Sequence, residues 1–174
     1  VCSSDLANKL KQNLKNSPSC LENRTIIIIP NANPDGYADN TRHNYRGIDL
    51  NRNFPTSNRI NNNTNGVEPL CEPESRAIKK VIEKYNPSRV LSIHQPLTCI
   101  DYDGPAGLIA ERMANHCDLP VRKLGARPGS LGSFLGKDLR TPIITLELPP
   151  SASKLNSEQL WQKYGNSITA FINY

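Results

Sequence analysis

Three short apolar runs, residues 25–30 (TIIIIP), 89–93 (RVLSI) and 141–146 (TPIITL), constrain the fold of this chain more than any other feature. Each is too brief for a helix of its own and rich in β-branched residues, which predicts strands buried on both faces. Helical patterns alternate with them. Leu6, Leu10 and Leu14 recur at four-residue spacing before a stop at Ser17-Pro18. Glu72-Pro73-Glu74 opens a second helix with Ile78, Val81, Ile82 and Tyr85 on one side, and Asn86-Pro87 closes it. A third helix is predicted over 105–116 and a last one over 157–172, with Leu160, Trp161, Tyr164, Ile168 and Phe171 along one stripe. Asn33-Pro34-Asp35-Gly36 reads as a turn, 119–124 as a further strand, and 128–130 as a turn into a short helix ending at 139. The pattern predicts an α/β fold, three-layer, with a mainly parallel (mixed) central sheet and helices on both faces, forming one domain over 1–174.

In such sheets ligands sit beyond the carboxyl ends of the strands. Three features leave from those ends. The first is the loop 31–55, without helical or strand periodicity, which places Arg42, Arg46, Asn51 and Arg52 within eleven positions. Planar guanidinium groups make paired, charge-assisted hydrogen bonds, so the loop reads as an anion-recognition site suited to a carboxylate. The second is His94, which reads either as a hydrogen-bonded core residue or as a metal ligand or general base. The third is Glu147, directly after an apolar run. A carboxylate there costs several kcal/mol unless paired or solvated in a cleft, so it is either an ion-pair partner of an arginine or a general base. All three are expected in one crevice. Asp101, Asp103 and Cys99 are expected in the loop that follows His94.

Composition narrows the partners. The net charge of +5 comes from scattered lysines and arginines, and aromatic residues make up only 6% of the chain, so neither a basic stripe nor a stacking platform for nucleic acid is visible. No apolar run approaches the roughly 18 residues of a membrane span. Five cysteines without paired short spacing fit neither a disulfide framework nor a zinc knuckle, which predicts a reducing compartment.

These residues carry a resemblance. GIDLNRNFP at 47–55, preceded by NPDG at 33–36 and by Arg42, followed by the strand-end histidine of SIHQP and the strand-end glutamate of ITLELPP, resembles the zinc metallocarboxypeptidases of the carboxypeptidase A type. The run from His94 to Ile100, PGSLGS at 128–133 and ELPP are similar to the bacterial murein tripeptide amidases. The resemblance implies metal-assisted hydrolysis of the γ-D-glutamyl-meso-diaminopimelate amide in a small wall peptide with a free carboxylate. It implies His94 as a zinc ligand, Glu147 as general base, Arg42 as oxyanion stabiliser, and Asn51 and Arg52 as the clamp on the substrate's terminal carboxylate.

One departure stands out. The family takes its other two zinc ligands from a His-x-x-Glu pair, and none of His43, His94 or His116 is followed by Glu three places on. The resemblance implies one zinc ion in the intact protein, which these residues are not expected to retain, since one ligand does not make a three-ligand site. An N-terminally truncated enzyme lacking its first strands is the expected reading. The alternatives are a metal-free carboxylate- or peptide-binding relative and a zinc deacylase of the aspartoacylase kind. Gln95 stands where an aspartate is common in the amidases, which bears on how the His94 ring is oriented.

Overall fold

The apolar runs at 89–93 and 141–146 become strands β1 (Val90–His94) and β3 (Ile143–Glu147), paired in parallel. The computed structural model describes residues 2–16 and 21–174. Strand β2 (Cys99–Asp103) lies antiparallel on the other side of β3, so the sheet is mixed, with order β1-β3-β2 and β3 in the centre. Because strand side chains alternate, Leu91, Ile93, Ile100, Ile144 and Leu146 turn to one face while Val90 and Ile143 turn to the other.

Helices cover both faces. On the first face, α1 (Cys2–Asn16), α4 (Gly107–Ala114) and α5 (Ser157–Ile172) bury Leu6, Ile109, Met113, Leu160, Tyr164 and Ile168 against β2 and β3. Helix α5 begins at a reciprocal capping box between Asn156 and Gln159, and Lys9 of α1 reaches its Glu158 at 2.5 Å. On the second face, α3 (Pro73–Tyr85) lays Ile78 and Ile82 beside Phe54, Phe134, Leu135 and Ile143. Helix α3 stops at Asn86-Pro87 as expected, with Asn86 in the left-handed conformation. Residues Ser133–Asp138 form a π-helical turn where a short helix was expected. The stop expected at Ser17-Pro18 lies outside the described residues. Among the described residues no helix is long and apolar enough to cross a membrane.

Four expectations need correction. Residues 25–30 are not in a strand, and Ile27 and Ile29 stay exposed. A β-branched run favours extended backbone, but a strand also requires a partner edge, and a cavity of about 940 Å³ separates this segment from β1. Residues 33–36 do not form a free turn: Asn33 caps helix α2 (Pro34–Asp39) by accepting from Gly36 N–H at 3.0 Å. The 119–124 strand reduces to a single bridge between Val121 and Ile100, next to Pro120, which has no N–H to give a ladder. Cys99, Asp101 and Asp103 are buried strand residues of β2 rather than loop residues.

Candidate active site

The parallel register of β1 and β3 makes His94 and Glu147 direct neighbours at the carboxyl ends of both strands. Cys99 of β2 flanks Glu147 on its other side. Period-two alternation then sends Ser92, His94, Thr145, Glu147 and Asp101 to one face, so the apolar strands carry a polar row, of which Ser92 and His94 face the loop 31–55 across a shared cavity. The imidazole Nε2 of His94 lies 2.9 Å from Ser92 Oγ, and Glu147 Oε2 accepts from Leu97 N–H at 3.3 Å.

The loop is built around two residues that its polarity does not single out. Asp49, buried, accepts from Arg42 Nε at 2.8 Å through one oxygen and from Asn51 N–H at 3.0 Å through the other. Asn53, fully buried, links the loop to the start of α3 and to the Asn-rich stretch at 56–69. Asn51 and Arg52 sit in a short 3-10 turn (Leu50–Arg52). Asn51 Oδ1 accepts from Leu131 N–H at 2.8 Å, and Arg52 Nη1 donates back to Asn51 O at 2.5 Å. The Arg52 carbonyl is held by Arg59, whose guanidinium also donates to the carbonyls of Asn65, Gly66 and Glu68 at 2.8–3.0 Å.

A cavity of about 200 Å³ opens between loop and sheet, and Asn33, Arg42, Asp49, Asn51, Ser92 and His94 are its polar lining. His94, Arg42 and Asn51 therefore meet as expected. Glu147 adjoins this group through its strand pairing, and Arg52 adjoins it in the chain, but neither lines the cavity. Arg46 does not belong to the anion site. Its Nε lies 3.7 Å from the buried carboxylate of Glu72, an ion pair that also receives Asn44 Nδ2 at 2.7 Å. Asp49 was missed, although an acid between Ile48 and Leu50 was a visible signal of a buried, partnered carboxylate.

Burial sets the proton affinities. The His94 imidazole is pushed down to about 4, mainly by burial and then by the Arg42 and Arg52 cations, with Asp49 opposing. It is a neutral ring at pH 7. Burial also raises the Glu147 carboxyl, helped by Asp101 and opposed by the Leu97 N–H and Arg42. A carboxylate held above its ordinary value is a stronger base, which suits proton abstraction from water. For His94 the folded value lies below the unfolded 6.5, so the unfolded chain binds more protons between the two. Stability from this group is complete above pH 6.5 and declines as pH falls through about 4. In denaturant titrations of the metal-free protein, His94→Gln is expected to flatten the loss of stability across that window.

Gly129 fastens the far wall. Its N–H donates to Thr56 Oγ1 and its carbonyl accepts from Phe54 N–H, both at 3.0 Å. Its φ is +71°, and a Cβ there would stand 2.2 Å from the Arg52 carbonyl oxygen. Gly129→Ala is expected to destabilise the fold by about 2 kcal/mol, from positive-φ strain and a backbone clash. The check is a lowered urea midpoint together with weakened binding of carboxylate ligands.

The resemblance implied one zinc ion in the intact protein, which these residues were not expected to retain. Among the described residues no group of three or more His, Cys, Asp or Glu could hold a metal ion, so these residues do not by themselves form a metal centre. The sequence profile described as zinc carboxypeptidase matches residues 4–104. The chain belongs to the zinc carboxypeptidase family, a family of hydrolytic enzymes. Within it, the chain is 34% identical to murein peptide amidase A of Escherichia coli strain K12 over 161 residues, covering 82% of this chain and 64% of that protein. It is 31% identical to murein peptide amidase A of Vibrio campbellii over 158 residues, covering 80% and 62%. The chain thus spans less than two thirds of the length of these curated relatives. The crystal structure of murein-tripeptide amidase MpaA from Escherichia coli O157 superimposes with a TM-score of 0.72 at 30% identity, covering 84% of this chain and 67% of that one. Bovine thrombin-activatable fibrinolysis inhibitor, in complex with tick carboxypeptidase inhibitor, shares the fold at 16% identity and a TM-score of 0.78, covering 99% of this chain and 77% of its own.

Proposed function

We propose that this chain carries the substrate-binding and proton-transfer residues of a zinc amidase or carboxypeptidase that cuts a C-terminal amide bond in small murein peptides, at γ-D-glutamyl-meso-diaminopimelate. The observation that carries the reading is the side-by-side placement of His94 and Glu147 in β1 and β3, with Arg42 and Asn51 at the adjoining cavity. Asn51 and Arg52 clamp the terminal carboxylate of the peptide by charge-assisted hydrogen bonds. Glu147 takes a proton from the attacking water, and Arg42 faces the negative charge that gathers on the carbonyl oxygen. Asp49 keeps Arg42 in place through its hydrogen bond to Nε. The family implies a zinc ion, and His94 is the ligand this chain contributes to it. A cytoplasmic place in the recycling of wall peptides belongs to the same proposal.

The test is hydrolysis of L-alanyl-γ-D-glutamyl-meso-diaminopimelate by the protein expressed from its complete reading frame, with zinc supplied and release of diaminopimelate followed by mass spectrometry. Zinc-dependent release is expected. Binding of the tripeptide without release, with or without zinc, would overturn the hydrolase and leave a carboxylate-binding module.

A further inference from the structure

We propose that Asp101 and Arg127 form a subsite for the far end of the diaminopimelate residue, Asp101 taking its distal ammonium and Arg127 its distal carboxylate. The proposal rests on the reading of the chain as a hydrolase of murein peptides and says which peptides it selects. Diaminopimelate carries a second amino-acid group at the end of a three-methylene arm, so a site that selects it offers an acid and a base side by side.

The sheet places the acid. Asp101 is paired with Thr145, and Glu147 is paired with Cys99, which makes Asp101 and Glu147 diagonal neighbours on the same face. Such neighbours lie about 7–8 Å apart at Cα, within reach of a side chain whose amide nitrogen is at Glu147. Asp101 is only 7% exposed, and its Oδ1 accepts from Leu124 N–H at 2.8 Å. That bond draws the segment after Val121 onto the site face.

The same segment places the base. Three residues beyond Leu124, the Arg127 carbonyl accepts from Ser133 Oγ at 2.7 Å and from Ser130 N–H at 3.0 Å. Two residues further, Gly129 packs against the Arg52 carbonyl. The segment therefore runs from Asp101 to Arg52 with Arg127 between them. The Arg127 side chain is exposed and, among the described residues, neither it nor Asp101 closes to an ion pair. They nevertheless feel each other. Burial raises the Asp101 carboxyl, while the Leu124 and Tyr102 N–H groups and then Arg127 and Lys123 draw it back. Lys123 is a poor candidate for the subsite, because its ammonium lies over the Tyr102 ring, and Tyr102 alternates to the opposite face of β2. Two opposite charges held near each other but apart are what a zwitterion fits between.

The test crosses two variants with three tripeptides that differ only in the last residue: meso-diaminopimelate, L-lysine, which lacks the distal carboxylate, and L-2-aminopimelate, which lacks the distal ammonium. Both kcat/KM and equilibrium binding by calorimetry are measured. Asp101→Asn keeps an acceptor for Leu124 and is expected to weaken the diaminopimelate and lysine peptides about 10- to 100-fold more than the aminopimelate peptide. Arg127→Gln is expected to weaken the diaminopimelate and aminopimelate peptides by a similar factor more than the lysine peptide. Equal losses across all three peptides, or no loss, would overturn the subsite while cleavage by the wild type keeps the hydrolase. The crossed pattern in binding without cleavage would support the subsite and remove the hydrolase. Absence of both binding and cleavage would overturn both.

Discussion

Replacing Glu147 by glutamine is expected to lower kcat for the proposed tripeptide hydrolysis by about 10³-fold, within the range for loss of a positioned general base. The substitution preserves volume and keeps an oxygen for the Leu97 N–H, so the fold is expected to survive. What it removes is the proton acceptor. KM is expected to stay within a few-fold, because Asn51, Arg52 and Arg42 lie on the loop rather than on β3. The pH profile offers a second check. Burial lifts the Glu147 carboxyl, so the acidic limb of the wild-type profile is expected above the ordinary carboxylate range, and this limb disappears in the variant's residual activity. A loss in KM alone, with kcat retained, would remove Glu147 from the chemistry.

Asn53→Ala is expected to cost about 3 kcal/mol of stability, more than a typical point substitution. The side chain has no exposure, and every polar atom on it is used. Its Oδ1 accepts from Ser75 Oγ at 2.7 Å and from Glu72 N–H at 3.3 Å. Its Nδ2 donates to the Asn65 carbonyl at 2.8 Å and to Cys71 Sγ at 3.1 Å. Truncation strands the buried Glu72 N–H, takes one of two partners from Ser75 Oγ and from the Asn65 carbonyl, which keep the Glu72 carbonyl and Arg59, and leaves a small cavity, at about 1–3 kcal/mol for the unpaired group and more for the lost bonds and packing. Urea unfolding with an unchanged m-value is the measurement. Asn53→Asp sharpens it: the acceptor survives but the donor is replaced by a charge facing a carbonyl, so this variant is expected to be no more stable than Asn53→Ala. Wild-type stability in either variant would show that the amide is incidental.

The parts of the molecule that sequence predicted are those whose cause is local. Helix α3 is announced by Pro73 and stopped at Asn86, α5 by its apolar stripe, and β1 and β3 by apolar runs ending in His94 and Glu147. The meeting of His94, Arg42 and Asn51 followed from one further rule, that ligands gather beyond strand carboxyl ends. What stayed hidden depends on pairing between distant segments. CIDYD alternates acids with apolar residues, and only the neighbouring β3 makes it a strand. TIIIIP has strand-forming residues but no adjoining edge. Within DLNRNFP, chemistry alone does not tell Asn51 from Asn53, yet Asn51 lines the cavity and Asn53 is sealed beneath it. Arg46 likewise resembles its neighbours until the buried Glu72, which lies beyond the loop, claims it.

The way Arg59 gathers the carbonyls of Arg52, Asn65, Gly66 and Glu68 has an evolutionary corollary. Main-chain oxygens are the same whatever residue bears them, so the Asn-rich stretch is free to drift in composition at its exposed positions without loosening the turn that bears Asn51 and Arg52. Variation among descendants of this chain should therefore spare the single guanidinium and its backbone contour, while the letters around it change.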